Sequence, residues 1–308
     1  MLAKMLSFSL ELPTQRVDRS DEFVTADAIA EVTRAAAAAG FSAVNVTDHP
    51  APDTRWLDHG GHHALDPFVA LSFAAAADRQ IRLLTNMYVA AYRNPFLGAK
   101  LVHSLDVLSG GRLVLGVAAD YLKPEFGALG VDFEHRTALL DEALEVLEAV
   151  AGGTDVAWDS PRFRARGVRL RPLPPSGRRP PVWVGGNSRA AMRRAARFEG
   201  WAPFHTAGLA RALRTAAIES VDDLRDAIRF VRAAKADNGR GAPFDVCWSE
   251  PMISDPTVPA DARCSRLAEL EAAGVTWATV TIPGTSRAEV LDRIGAFGRE
   301  VVGELARA

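Results

Sequence analysis

Short apolar stretches alternate with alanine-rich or amphipathic stretches along almost the whole chain of 308 residues. Eight of the apolar stretches have the length and composition of β-strands, and nearly all are followed by apolar residues at helical spacing. The predicted strands are 6–12, 43–47, 81–88, 112–117, 182–184, 201–204, 244–249 and 277–282, and the clearest predicted helices are 25–39, 66–77, 95–108, 137–150, 221–236, 261–273 and 286–305. Strand-then-helix alternation predicts a parallel sheet, and eight such units predict its closure into a TIM-type (β/α)8 barrel. An open doubly wound sheet is the alternative, but no G-x-G-x-x-G turn follows the first strand.

Two stretches interrupt the alternation. Residues 51–65 contain Pro52, Gly60–Gly61 and three histidines, and residues 151–179 contain several prolines and many arginines. No independent second core follows either stretch. We therefore expect a single barrel domain over 1–308, with loop insertions at 51–65 and 151–179.

Composition excludes several kinds of partner. Hydrophobic residues make up 48% and charged residues 24% of the chain, and the formal net charge is −2 without a block of Lys or Arg. These values argue against binding to nucleic acid or to an anionic membrane surface. No apolar run reaches membrane-spanning length, the N-terminus lacks a signal-peptide core, and the two cysteines fit a reducing compartment. We expect a cytoplasmic protein.

The fifth predicted strand leads into a glycine-rich turn and a helix. Val184 is followed by Gly185 and Gly186, then by Asn187 and Ser188. Glycines allow a ligand to approach the backbone closely, and the first turn of a helix carries unpaired N–H groups at the positive end of the helix dipole. This pattern is typical of a phosphate site. The alternative is an ordinary turn in which Asn187 or Ser188 only caps the helix.

In a (β/α)8 barrel the chemistry gathers where strands end. Asp48 and His49 follow the second strand, so that the carboxylate could orient an imidazole acting as acid or base; a turn cap beside a solvated histidine is the alternative. Asn86 interrupts the third strand and suggests a group turned towards a ligand. Asp120 and Tyr121 follow the fourth, and the Tyr121 hydroxyl either faces the barrel mouth or packs as an aromatic side chain.

Three histidines, His59, His62 and His63, lie in the first insertion. Zinc sites more often take their ligands from rigid elements with supporting hydrogen-bond partners. We therefore expect a solvated or substrate-shaping loop and no metal.

Taken together, three segments resemble the luciferase-like monooxygenase superfamily, and more narrowly the branch that uses the deazaflavin coenzyme F420. They are 46–52 (VTDHPAP), 65–136 with its Arg-Asn-Pro and Ser-Gly-Gly-Arg runs, and 180–203 (PPVWVGGNSRAAMRRAARFEGWAP). The resemblance implies a barrel that binds flavin or deazaflavin at its C-terminal mouth. There, hydride moves between the ring and a substrate, or reduced flavin meets oxygen.

The resemblance also implies roles for single residues. Asp48 and His49 match the acid–histidine pair near the ring. Asn86–Met87 matches the bulge that backs the ring, which is often a non-proline cis peptide. The sequence from Gly185 to Ser188 matches the phosphate turn, and we include Val184, which precedes it, among the cofactor-binding residues.

The chain departs from the family pattern after the fourth strand. The family usually reads Gly-Val-Gly-x-Gly there, whereas this chain has Ala118 and Asp120 at the second and third glycine positions. The change adds a negative charge where cofactor is expected, so we count both residues as cofactor contacts. Tyr121 stands where some members have a catalytic glutamate, which argues against sugar-phosphate dehydrogenation because a phenol is a much weaker acid than a carboxyl.

Three hypotheses follow from these observations. The first is an F420-dependent oxidoreductase acting on a small molecule, with Asp48, His49 and Tyr121 as catalytic residues and Asp48 positioning His49. The second is an FMN-dependent monooxygenase of the same fold. The third is a flavin-binding protein without turnover, favoured by Ala118 and Asp120. Barrels of this kind often pair, so we expect a homodimer.

Overall fold

The computed structural model describes residues 6–206, 208, 215–237 and 243–307. Its strands are β1 (Ser7–Glu11), β2 (Ala43–Val46), β3 (Arg82–Thr85), β4 (Leu113–Val117), β5 (Val156–Asp159), β6 (Arg164–Val168), β7 (Val182–Gly185), β8 (Gly200–Ala202), β9 (Asp245–Ser249) and β10 (Trp277–Val280). Its α-helices are α1 (Ser20–Phe23), α2 (Ala26–Ala38), α3 (Thr54–Leu57), α4 (Pro67–Ala77), α5 (Pro95–Ser109), α6 (Lys123–Ala128), α7 (Arg136–Ala151), α8 (Arg189–Ala195), α9 (Val221–Asp237), α10 (Pro251–Ser254), α11 (Ala260–Ala273), α12 (Arg287–Phe297) and α13 (Gly303–Leu305).

Eight of the strands close into a parallel barrel in the order β1-β10-β9-β8-β7-β4-β3-β2. The predicted TIM-type barrel is therefore confirmed, and its eight strands are the eight that the alternation predicts. β5 and β6 form a separate antiparallel hairpin within the 151–179 insertion. The predicted last helix, 286–305, is divided into α12 and α13 by a π-helical turn at Gly298–Val302.

The predicted third strand, 81–88, ends early in the structure. β3 stops at Thr85, and the Asn86–Met87 peptide bond that follows is cis. Tyr88 then forms only an isolated bridge to Val117 of β4. Tyr88 is nevertheless buried, and its ring packs edge-on against Phe68. This burial explains why the apolar pattern in the sequence continues past the end of the strand.

Side chains alternate between the barrel interior and the surrounding helices, as they do along any strand. The interior layer is formed by Ala43, Leu84, Val114, Trp183, Ala202, Cys247 and Trp277, with Trp183 and Trp277 in edge-to-face contact at 5.2 Å. This layer packs the interior of the barrel, and an open cavity lies towards the carboxyl ends of the strands. There the interior becomes polar, and the Asn45 amide donates to the Ser9 hydroxyl at 2.8 Å.

Helix starts follow the sequence signals. The Asp66 carboxylate accepts the N–H groups of Phe68 and Val69 at the start of α4, and Asn94 accepts those of Phe96 and Leu97 at the start of α5.

Among the residues that the structure describes, no helix is both long enough and apolar enough to cross a membrane.

Candidate active site

A cavity of about 430 Å³ opens at the carboxyl ends of β2, β3, β4, β7, β8, β9 and β10. Eleven of the twelve predicted site residues line it: Asp48, His49, Asn86, Met87, Ala118, Asp120, Tyr121, Gly185, Gly186, Asn187 and Ser188. They come from loops after four different strands. The barrel therefore brings together residues as far apart in the sequence as Asp48 and Ser188.

Val184 is the exception and does not line the cavity. Its side chain is fully buried in the outer core together with Met192 and Ala195 of α8. Strand alternation explains this, because the neighbouring Trp183 points into the barrel and Val184 must point outward. The structure therefore places the Val184 side chain outside the cavity lining.

Asp48 is buried and held by Arg93. The guanidinium makes two hydrogen bonds to the carboxylate, at 2.7 and 2.9 Å, and the Val89 N–H donates to it at 3.0 Å. Burial raises the pKa of Asp48, although Arg93 and the Val89 N–H oppose that rise. Asp48 thus lies in the cavity wall with its charge neutralised by an arginine.

His49 is positioned by Glu125 and not by Asp48, which corrects the predicted pairing. The His49 Nδ1 lies 3.1 Å from the Glu125 Oε2, and Glu125 is fully buried. The imidazole also packs against Trp56 at 4.6 Å and, edge-on, against His62 at 5.0 Å. The hydrogen bonds of the Asp48 carboxylate go to Arg93 and the Val89 N–H.

Glu125 accepts three hydrogen bonds. They come from His49, from the Ala51 N–H at 2.8 Å and from the Tyr92 hydroxyl at 2.8 Å. Burial opposes ionisation here, but these hydrogen bonds and the charge of His49 outweigh it and lower the pKa of Glu125. Glu125 is therefore an ionised carboxylate behind the cavity wall.

Asp120 adopts a left-handed backbone conformation, with φ of 58°, at the position where the family has a glycine. Its Oδ1 accepts the Tyr121 N–H at 2.6 Å, and its Oδ2 contacts the Tyr92 hydroxyl. Tyr121 itself is half exposed at the cavity rim. Asp120 keeps the backbone geometry of a glycine position but adds a carboxyl to the wall.

The cis peptide between Asn86 and Met87, expected from the resemblance, is present. Met87 lies against the glycine turn, since a Cβ built on Gly185 would meet the Met87 Cγ at 3.2 Å and the Ala118 Cβ at 3.4 Å. The Asn86 amide is directed to Asn45, with 3.4 Å between Nδ2 and Oδ1. Met87, Ala118 and Gly185 thus form a continuous apolar part of the wall.

The polar groups of the glycine turn follow the capping interpretation made from its sequence, and the phosphate site stays a prediction. Gly186 has a φ of 107°, and its N–H donates to the Ala202 carbonyl. The Ser188 hydroxyl caps α8 by accepting the Ala191 N–H. The buried Asn187 side chain bonds both the N–H and the carbonyl of Phe204, so it fixes the loop after β8 and does not point at a ligand.

Two arginines come from helices at this cavity: Arg194 from α8, which follows the turn, and Arg136 from the start of α7. Arg194 makes a double hydrogen bond to Asp141, at 2.6 and 2.7 Å, and Arg136 stacks on the Phe133 ring. Both line the cavity. Both arginines thus add cationic groups to the cavity lining, with the charge of Arg194 balanced by Asp141.

The three loop histidines do not form a metal site. The Nδ1 atoms of His59 and His62 lie at hydrogen-bond distance from backbone carbonyls, and only His62 contacts the cavity. Among the described residues, His49, Asp120 and Glu125 do bring their possible ligand atoms within 4.8 Å of one another. Those atoms are already hydrogen-bonded to each other or to Tyr92, so we assign no metal to them.

Four functional side chains were missed from the sequence: Tyr92, Arg93, Glu125 and Trp56. Arg93 and Glu125 follow the predicted strands closely enough to be suspected, but their partners lie in loops after other strands. Trp56 lies in an insertion with no periodic pattern. Such contacts depend on how the loops fold back over the mouth, which no local pattern encodes.

Comparisons with known proteins identify the family of the chain. The family model described as luciferase-like monooxygenase matches residues 6–270. An uncharacterised protein of Mycobacterium tuberculosis is 26% identical over 227 residues, which is 70% of this chain and 74% of that protein.

Two solved structures share the fold. An F420-dependent secondary alcohol dehydrogenase in complex with an F420–acetone adduct has a TM-score of 0.76 at 14% identity, covering 97% of this chain and 98% of the other. The FMN complex of the oxygenating constituent of 3,6-diketocamphane monooxygenase from Pseudomonas putida has a TM-score of 0.75 at 14% identity, covering 97% and 99%. The chain belongs to the luciferase-like monooxygenase family and is an oxidoreductase of that family.

Proposed function

We propose that this protein transfers hydride between coenzyme F420 and a small organic substrate. The observation that carries the proposal is the meeting of three features around one cavity: the cis Asn86–Met87 bulge, the Gly185–Gly186 turn and the imidazole of His49. A flat redox ring needs an apolar surface, an anionic tail needs N–H groups and cations, and a reacting substrate needs an acid or base.

The residues present fit such a cofactor. Met87, Ala118 and Gly185 offer the ring an apolar wall, and a side chain larger than glycine at Gly185 would project towards Met87 and narrow this space. The turn from Gly186 to Ser188, with Arg136 and Arg194 near it, would hold the phosphate. The bound cofactor would supply the hydride-transfer chemistry.

The protein's own part is to move and hold protons. Because Nδ1 of His49 is engaged by Glu125, Nε2 is the ring nitrogen left for the cavity. Glu125 keeps the imidazole oriented through this contact. The charge of Asp48 is balanced by Arg93, and the residue forms part of the cavity wall. We propose Asp48 as a catalytic residue because it lines the cavity and would contact the bound molecules there.

The alternative is FMN in the same position, with reduced flavin meeting oxygen. Arg136 and Arg194 would suit the single terminal phosphate of FMN as well as the longer acidic tail of F420. They therefore do not separate the two cofactors. A flavin-binding protein without turnover is the third possibility, supported by the carboxyl of Asp120 in the wall.

Cofactor uptake tests the proposal. We expect purified protein to quench F420 fluorescence on binding, and Gly186→Val to weaken binding by about tenfold or more, because the added side chain strains a positive φ and crowds Ala191. Gly167→Val is the matched control, since Gly167 also has a positive φ but has open space around it in the β5–β6 hairpin. A clear preference for FMN in the same titration would overturn the choice of F420.

We also propose a homodimer in the cytoplasm. Val69 and Phe73 of α4 and Leu97 and Leu108 of α5 are exposed, and these helices are neighbours. α4 contains no charged residue, and a helix that is apolar on all sides is normally covered. Cys247 and Cys264 are both free thiols, as a reducing compartment favours.

A further inference from the structure

A second, smaller cavity lies outside the barrel, between helices α11 and α12. Its volume is about 150 Å³, the size of a protein cavity that can hold a benzene ring. Among the described residues, none lines both this cavity and the active-site cavity. Apolar side chains form one part of its wall: Pro256, Ile282, Pro283, Ala296 and Phe297. The cavity can therefore take a small ligand that has a hydrocarbon part.

Arg263 of α11 is the polar residue in the wall that most constrains what binds there. It is only 6% exposed. Its Nη2 donates to the Glu300 Oε2 at 3.1 Å, whereas its Nε is buried without a hydrogen-bond partner among the described residues. A buried charged group with an unused donor is costly, and such donors in proteins are normally satisfied by a bound partner. An anionic group in the cavity would supply acceptors to this guanidinium.

Glu300 satisfies Arg263 only in part. The Glu300 side chain is 51% exposed, so water competes for its oxygens. The pair has one hydrogen bond and not the two parallel bonds that a guanidinium makes to a carboxylate facing it. Glu300 also lies in the π-helical turn Gly298–Val302, and turns of this kind occur frequently at functional sites. Arg263 thus keeps donors for a second carboxylate.

Two further donors line the cavity. Arg293 is held in place by Glu289, at 2.6 Å from its Nη2, and its Nη1 donates to the Pro283 carbonyl at 2.9 Å. The Ser254 hydroxyl oxygen accepts the Thr281 N–H at 3.0 Å, which leaves the hydroxyl proton for another acceptor. The charged groups in the wall are two arginines and one glutamate, so positive charge is in excess.

We propose that this cavity binds a small organic carboxylate, separate from any cofactor in the barrel. The carboxylate accepts from Arg263 and the Ser254 hydroxyl, and the hydrocarbon part lies against the apolar wall. The nearby Glu300 and the apolar wall favour a single negative charge over the double charge of a phosphate. The inference does not depend on which cofactor the barrel holds.

Isothermal titration calorimetry of the whole protein with benzoate, benzamide and inorganic phosphate tests the proposal. We expect benzoate to bind about tenfold or more tightly than either of the others. Benzamide has the same shape without the charge, and phosphate has the charge without the apolar part. Equal affinity for benzoate and benzamide would overturn the proposal, and so would a lack of saturable benzoate binding up to about 10 mM.

A cavity-filling variant places the benzoate site in the molecule. Ala296→Leu adds apolar volume to the wall without changing a charge, and should weaken benzoate binding by about tenfold or more. Ala288→Leu is the matched control, because Ala288 is an exposed residue of the same helix, α12, and does not line the cavity. Unchanged binding in Ala296→Leu would place benzoate elsewhere and overturn the site.

Arginine variants test the charge requirement. Arg263→Met and Arg293→Met should each weaken benzoate binding, the first by about tenfold or more. Arg299→Met is their control, since Arg299 lies exposed in the π-helical turn and does not line the cavity. Circular dichroism of each variant identifies one that fails to fold. If Arg263→Met does not fold, Arg293→Met and Ala296→Leu decide the outcome, and full benzoate affinity in both would overturn the proposal.

Discussion

At the scale of single residues, the ion pair between Asp48 and Arg93 joins the site to the stability of the fold. Asp48 is almost completely buried and the Arg93 side chain is only 15% exposed. Breaking such a pair leaves a charge in a poorly solvated place, whereas an exposed pair contributes little. Arg93 also contacts Asp66, the cap of α4, and its guanidinium lies over the Tyr88 ring.

We predict that Arg93→Met lowers the free energy of unfolding by about 3–5 kcal/mol at pH 7. Lys123→Met, which breaks the exposed pair with Glu134, should lower it by no more than about 1 kcal/mol. Urea denaturation of the two variants and wild type gives both values. Equal effects of the two substitutions would contradict the structural role of Arg93.

The pH dependence of this effect has a definite sign. Burial raises the pKa of Asp48 above its ordinary value, and loss of Arg93 removes the largest of the interactions that counter the rise. The folded variant therefore keeps Asp48 protonated to a higher pH than the unfolded chain does. Its stability falls as pH rises above about 4, the pKa range of an unfolded aspartate, because the unfolded chain releases this proton there and the folded protein does not. The difference from wild type should shrink towards acid pH in the same denaturation experiment. If the difference in unfolding free energy between wild type and variant is the same at acid and neutral pH, the proposed part of Asp48 ionisation is contradicted.

At the scale of elements, β4 approaches the Asn86–Met87 bulge as closely as backbone allows. A Cβ built on Gly116 would meet the Thr85 carbonyl oxygen at 2.0 Å and the Met87 Sδ at 2.8 Å. The Gly116 carbonyl also accepts the Tyr88 N–H and the Thr85 hydroxyl. The bulge that forms the apolar wall thus depends on a glycine in the neighbouring strand.

We predict that Gly116→Ala destabilises the protein by about 1–3 kcal/mol or more and weakens cofactor binding, because β4 and the bulge must separate. Gly127→Ala in α6 is the opposite case. Nothing lies within 4 Å of its Cβ and its φ is not positive, so alanine should stabilise the helix by about 0.4–1 kcal/mol. Urea denaturation and fluorescence titration measure the two effects, and a neutral Gly116→Ala would contradict the close approach.

At the scale of the whole molecule, the exposed apolar face of α4 and α5 predicts how two copies meet. In a two-fold dimer the same face of each copy meets its counterpart, so like charges on that face would repel. The face formed by α4 carries no charged residue and avoids this repulsion. We predict that the wild-type protein sediments as a dimer and that Phe73→Lys sediments as a monomer, since the lysine places charge in the interface.

Val17→Lys is the control for this experiment, because Val17 is also an exposed apolar residue but lies outside α4 and α5. It should remain dimeric in the same ultracentrifugation run. A monomeric wild type would contradict the proposed dimer. A dimeric Phe73→Lys variant would show that the interface does not involve this face of α4 and α5.

Much of the molecule follows from the sequence alone. The number and order of barrel strands, the start of the 66–77 helix beside Asp66, and the positions of the cavity residues after β2, β3, β4 and β7 were predicted. These features depend on periodicity, capping and the rule that strand ends meet at one mouth, and all three are local or fold-wide regularities.

Only the tertiary structure decided which side chain pairs with which. Sequence adjacency suggested that Asp48 positions His49, but Asp48 pairs with Arg93 and His49 pairs with Glu125. Val184 was assigned to the cofactor although strand alternation turns it towards α8. The physical reason is that hydrogen-bond pairing at a barrel mouth depends on how loops from different strands pack over one another, and the separation of partners along the chain carries no record of that packing.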